Sequence, residues 1–231
     1  MLTLYRYLFL FFILAGGCND YNQQTINPEQ ILEHYVEKLG GKEKWESIRT
    51  AKYILETEID SLSGFKTIFY KEPPGKYCMV TLAGNRESRI IYNNGKAGKI
   101  VDGISETITD QDEIERLKLS ACILPDMVYK EMGYNMKLLG IEKWKGTNCY
   151  KIKLTSPSGK EDLNFYEKES GLLSMIIHGK GTKSLFNEYK EFDGCLFPVK
   201  MSYVLSNDEV WTITVKEVHL NKIIEESVFS F

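Results

Sequence analysis

Phe197-Pro198-Val199-Lys200-Met201-Ser202-Tyr203-Val204-Leu205 is the stretch that decides the fold. Phe197, Val199, Met201, Tyr203 and Leu205 recur at every second position, the period of a strand with one face against a core. Tyr150, Ile152 and Leu154 form a second such stripe, and Trp211, Ile213 and Val215 a third. Turn signals at Lys145-Gly146, Pro157-Ser158-Gly159, Ser170-Gly171, Gly179-Lys180-Gly181, Asp193-Gly194 and Ser206-Asn207-Asp208 divide this half of the chain. The spacing predicts strands at 136–144, 148–155, 161–167, 172–178, 184–191, 197–205 and 209–219. The first half repeats the design. Tyr53, Leu55, Thr57 and Ile59 alternate with Lys52, Glu56 and Glu58, and strand-sized segments follow at 65–71, 76–82, 87–92 and 96–101. Their turns are Ser63-Gly64, Pro73-Pro74-Gly75, Gly84-Asn85 and Asn93-Asn94-Gly95, which makes an antiparallel meander.

Helical spacing occurs in two regions. Asn27 caps and Pro28 opens a helix in which Ile31, Leu32, Tyr35, Val36 and Leu39 share a face, and Gly40-Gly41 stops it. A short helix over 42–48 buries Trp45 and Ile48 and leads into the first strand. The second region, 110–125, has acids in its first turn and apolar Ile114, Leu117, Cys122, Ile123 and Leu124. The expected fold is mainly β (α+β): a strongly curved antiparallel sheet, an unclosed half-barrel, with the N-terminal and mid-chain helices packed on its concave face.

An apolar run over 7–14 ends in Leu14-Ala15-Gly16-Gly17-Cys18, and the sequence turns polar at Asn19. The run is too short to cross a hydrocarbon core of about 30 Å and reads as a signal-peptide core. Small residues before a cysteine resemble a bacterial lipobox, whose cysteine is acylated after cleavage. The expected organisation is a leader over 1–17, a lipid on Cys18, a polar tether over 18–27 and a single domain over 28–231.

Hydrophobic residues make up 43% of the 231-residue chain and aromatics 12%, ample for a core. The net charge is -3, and loss of the leader's Arg6 makes it -4, which argues against a nucleic-acid partner. Cys78, Cys122, Cys149 and Cys195 have no CxxC spacing and read mainly as small core or surface residues; whether they form disulfides is left open. His34, His178 and His219 lie far apart, so no metal site and no cofactor are expected. Gly-x-Ser-x-Gly is absent, and Glu56, Glu58 and Asp60 suit a solvated face better than a catalytic pair, so no catalytic residues and no enzymatic activity are expected.

Tyr35-Val-Glu-Lys-Leu-Gly-Gly-Lys-Glu-Lys-Trp45-Glu-Ser-Ile48, running straight into strands, resembles the start of the lipoprotein-carrier (LolA/LolB-like) superfamily. The resemblance continues through Asn164-Phe-Tyr-Glu-Lys-Glu-Ser-Gly-Leu-Leu173, Glu188-Tyr-Lys-Glu-Phe-Asp-Gly194 and Phe197-Pro198. It implies an unclosed barrel whose helices act as a lid over an apolar cavity for acyl chains. The chain departs from the pattern at Gly98, where relatives often carry a large aromatic, and that loss is expected to enlarge or rearrange the cavity. Ile31, Tyr35, Leu55, Tyr150, Ile152, Met201, Tyr203, Trp211 and Ile213 are the candidate cavity-lining residues, although the same side chains would serve any core. The expected function is that of a lipid-anchored bacterial envelope protein, at the outer membrane and facing the periplasm or the cell surface. It would bind, transfer or sense a lipid or lipoprotein acyl group. The alternative is a non-catalytic structural or interaction module for an envelope partner protein.

Overall fold

Asn27 and Gln30 cap each other reciprocally, at 2.9 and 3.0 Å, and start helix α1 (Pro28–Lys38). The computed structural model describes residues 26–59, 64–179 and 181–231, so the leader, Cys18 and most of the expected tether lie outside the described residues. Ile31, Leu32, Tyr35 and Val36 form the buried face of α1. Gly40 ends the turn with φ +117°, and a Cβ there would run into the Gly194 carbonyl, so glycine is required. The short helix α2 (Lys42–Glu46) then seats Trp45, whose Nε1 donates to the Leu39 carbonyl at 3.1 Å and whose ring lies 4.8 Å from Phe197.

The strands are β1 (Ala51–Glu58), β2 (Gly64–Glu72), β3 (Lys76–Ala83), β4 (Arg86–Asn93), β5 (Lys96–Val101) and β6 (Ile104–Ile108). Helix α3 (Gln111–Ala121) and a 3-10 turn (Pro125–Met127) follow. The chain continues through β7 (Asn135–Trp144), β8 (Thr147–Thr155), β9 (Glu161–Glu167), β10 (Leu173–His178), β11 (Lys183–Phe192), β12 (Cys195–Val204) and β13 (Val210–Leu220). All 13 belong to one antiparallel sheet in the order β6-β5-β4-β3-β2-β1-β13-β12-β11-β10-β9-β8-β7. Two meanders therefore meet where the first strand pairs with the last, Ala51 opposite Leu220. The two edges, β6 and β7, are consecutive in the chain, joined by the segment that carries α3 and the 3-10 turn. The barrel stays unclosed.

Strand β6 escaped the sequence reading, although Asp102-Gly103 is a hairpin signal with φ of +49° and +83°. Four of its five residues are exposed, so it has no inward stripe to detect. Alternation on β1 also breaks: Ile54 and Leu55 are both buried because the register with β13 slips between them.

One face of the sheet packs against helices. Ile152, Leu154, Tyr166, Leu173, Cys195, Phe197 and Leu220 join the buried side of α1 and α2. Tyr77, Tyr92, Ala97 and Ile108 join Leu117 and Ala121 of α3. The outer face has its own small clusters, Cys149 with Phe165 and Met175, and Cys78 with Val80, Ile91 and Phe229. Phe229 belongs to a C-terminal 3-10 turn (Glu226–Phe229) that folds back over β3 and β4. Gly98, opposite Ile91 on β4, faces this outer side, and a Cβ there would strike the Phe231 ring. The expectation that its missing side chain opens the concave cavity is therefore corrected: the terminal ring occupies that space on the other face. The four described cysteines are all free, Cys78, Cys149 and Cys195 buried and Cys122 half-buried.

Candidate functional site

The inward stripes converge on the middle of the helix face. Register places Met201 beside Ile213 and Tyr203 beside Trp211; Ile213 faces Thr57 on β1, and Thr57 faces Phe65 on β2. Trp211 completes the row, its ring 5.8 Å from Phe65 and 6.2 Å from Tyr203. The bottom of the row is buried at Leu55, Thr57, Thr67 and Val199. Phe65, Met201, Tyr203, Trp211 and Ile213 remain only half-buried, and none belongs to the clusters built by α1 or α3. The result is a half-buried, mainly apolar row on the helix face of the sheet, outside the clusters that α1 and α3 build.

The nine candidate residues separate accordingly. Ile31, Tyr35 and Ile152 are 3%, 4% and 0% exposed and packed in the core under α1, with Tyr150 half-buried at its margin. Leu55, Met201, Tyr203, Trp211 and Ile213 lie on or beside this row, Leu55 buried and the others half-buried. Cys18 lies outside the described residues.

A polar knot missed by the sequence reading sits where α1 meets the turn after α3. Tyr166 Oη donates to Asp126 Oδ1 at 2.6 Å and accepts from Asn164 Nδ2 at 3.1 Å, while the Tyr35 ring lies 5.2 Å away, edge-on. Tyr189 Oη donates to the Leu173 carbonyl at 2.7 Å. Burial holds the Tyr35, Tyr129 and Tyr166 phenols well above the usual tyrosine range, so they stay protonated. No spacing in the sequence ties Asp126 to Tyr166, 40 residues away. Leu32, Val36, Met127 and Met136 line a 290 Å³ recess beside it, rimmed by Glu29, Glu33 and Lys130. Further recesses of 640 Å³ at the Arg86–Asp102 hairpin tips and 360 Å³ around Tyr70 and Val228 share no lining residue with the half-buried row.

Burial pushes the Asp126 carboxyl up to about 6, against the opposing pull of the Tyr166 hydrogen bond. Since the folded value lies above the unfolded one, this group's contribution to stability is full below about pH 4 and is lost as pH rises through about 6. Asp126→Asn is expected to flatten stability between pH 4 and 7 by on the order of 1–3 kcal/mol relative to the parent, read by urea unfolding at each pH.

Among the described residues, no group of three or more His, Cys, Asp or Glu side chains is placed to hold a metal, and no helix is long and apolar enough to cross a membrane. No family model matches the sequence, and no curated protein matches it significantly. Solved structures do match. A LolA superfamily protein from Nitrosomonas europaea superposes with a TM-score of 0.61 at 12% identity, covering 89% of this chain and 98% of that one. A DUF1329 family protein from Desulfovibrio piger gives 0.59 at 11% identity, covering 87% and 95%. A domain from Vibrio parahaemolyticus assigned as an outer membrane lipoprotein-sorting protein gives 0.59 at 10% identity, again covering 87% and 95%. The chain has the LolA-like fold.

Proposed function

We propose that this protein is a lipid-anchored bacterial envelope protein whose concave face binds an acyl chain or a similar elongated hydrophobic ligand, without catalysing a reaction. The half-buried row Phe65, Met201, Tyr203, Trp211 and Ile213, left uncapped between α1 and α3, carries this reading. Each methylene laid there contributes about 0.8 kcal/mol, so a long chain outweighs the entropy of ordering it. Titration with an environment-sensitive hydrophobic probe tests it: saturable binding, displaced by a long-chain lipid, is expected, and absence of binding refutes it.

The anchor in this reading is the lipid on Cys18, which holds the domain at the outer membrane through the 18–27 tether. Cys18→Ser is expected to move the protein from the membrane to the soluble fraction, followed by fractionation and intact-mass analysis.

The interaction-module reading draws on β7, an edge strand that exposes Leu139 (45%) and Ile141 (55%). A protein without affinity for hydrophobic probes, whose binding to an envelope partner disappears with Leu139→Lys, would favour that reading instead.

A further inference from the structure

Lys71 is a cation on the inner face of the sheet. It shares the inward side of β2 with Phe65, Thr67 and Phe69, opposite Ala51 and Tyr77. Its Nζ donates to the Cys122 backbone carbonyl at 2.9 Å, just past α3, and lies 5.9 Å from the centre of the Tyr53 ring. One of the ammonium's three donors is thereby used. Among the described residues no carboxylate lies within 4.0 Å of it. The hydroxyl of Tyr53, in the same cluster, is buried without a hydrogen-bond partner.

A lysine placed here costs stability, because its ammonium is partly desolvated with no counter-charge. Burial lowers its pKa to about 8, which leaves it mainly charged at neutral pH. An anion brought from outside would offset that cost. From Lys71 the inward residues Phe69, Thr67 and Phe65 step down β2 to the ring of Trp211, a path of about 20 Å at strand rise. The cation and the apolar row thus occupy two ends of the same face. Among the described residues Lys71 is the cation on the inward side of β2; Arg116 of α3 is exposed and paired with Glu113, and near Cys122 the further cation Lys118 is opposed by Glu131. One inward ammonium suits a singly charged carboxylate better than a phosphate with up to two charges and three oxygens.

We infer that the concave face selects a long-chain fatty carboxylate, its head paired with Lys71 and its tail laid along the row that ends at Phe65 and Trp211. This rests on the hydrophobe-binding reading above and names the ligand class.

The full chain in phosphatidylcholine nanodiscs is titrated at pH 7 with decanoate, decanol and decyl phosphate, with empty nanodiscs as the blank. Decanoate is expected to bind about 10–100-fold more tightly than decanol, the worth of one charge-assisted hydrogen bond. Lys71→Met is expected to remove that difference, and Lys71→Arg to retain it. Equal binding of decanoate and decanol by the parent chain overturns the inference while leaving hydrophobe binding standing. A preference that survives Lys71→Met overturns it too, and tighter binding of decyl phosphate than of decanoate overturns the carboxylate assignment. If none of the three binds, the hydrophobe-binding reading falls as well.

Discussion

Ile213→Glu is expected to abolish binding of hydrophobic ligands, by at least about a hundredfold in affinity, while the sheet stays folded. Ile213 lies between Met201 and Thr57 in the register, in the middle of the half-buried row. In the empty protein a glutamate there reaches water from a half-buried position. A bound acyl chain would strip that water away, and desolvating an unpaired carboxylate costs several kcal/mol. Probe titration gives the affinity, with circular dichroism and a melting curve to show that the strands persist. Unchanged affinity would place the ligand elsewhere, with the 290 Å³ recess beside α1 as the next site to test.

Trp45→Ala is expected to have the largest effect on the fold, about 3–5 kcal/mol, or roughly 6–20 °C in melting temperature for a domain of this size. Trp45 is 4% exposed, packs with its ring 4.8 Å from that of Phe197 at 54°, and donates to the Leu39 carbonyl at 3.1 Å. Truncation therefore opens a cavity and leaves that carbonyl without its indole donor at the junction of α1 with the sheet. Trp45→Phe keeps most of the volume and loses only the donor, so it is expected to cost about 1–2 kcal/mol. Equal losses for the two variants would show that packing against Phe197 contributes little.

The fold was legible because its signals are local. Stripes such as Phe197, Val199 and Met201, bounded by Gly and Asn turns, specify strands one at a time, and α1 is marked by its Asn27 cap and Gly40 stop. What joins the pieces is not local. The pairing of Ala51 with Leu220, which brings the two meanders into one sheet, leaves no periodic trace in the chain. Strand β6 was illegible because four of its five residues face water and only Ile108 is buried. The candidate site was legible by type and not by address. Alternation marked Ile152 and Met201 alike as inward, but only the positions of α1 and α3 decide that Ile152 is sealed while Met201 stays half-open. Lys71 and Asp126 carried no sequence signal, since their significance lies in burial and in partners brought from distant strands.

The proposed binding on the half-buried row is tested most directly by asking whether the protein removes lipid from a membrane. Protein purified from envelopes is incubated with vesicles of phosphatidylcholine containing a trace of fluorescent fatty acid, re-isolated, and its bound lipid counted by mass spectrometry. Binding on the row predicts about one acyl ligand per protein, lost with Ile213→Glu. Protein that returns with no ligand, or a parent and variant that carry equal amounts, would contradict it.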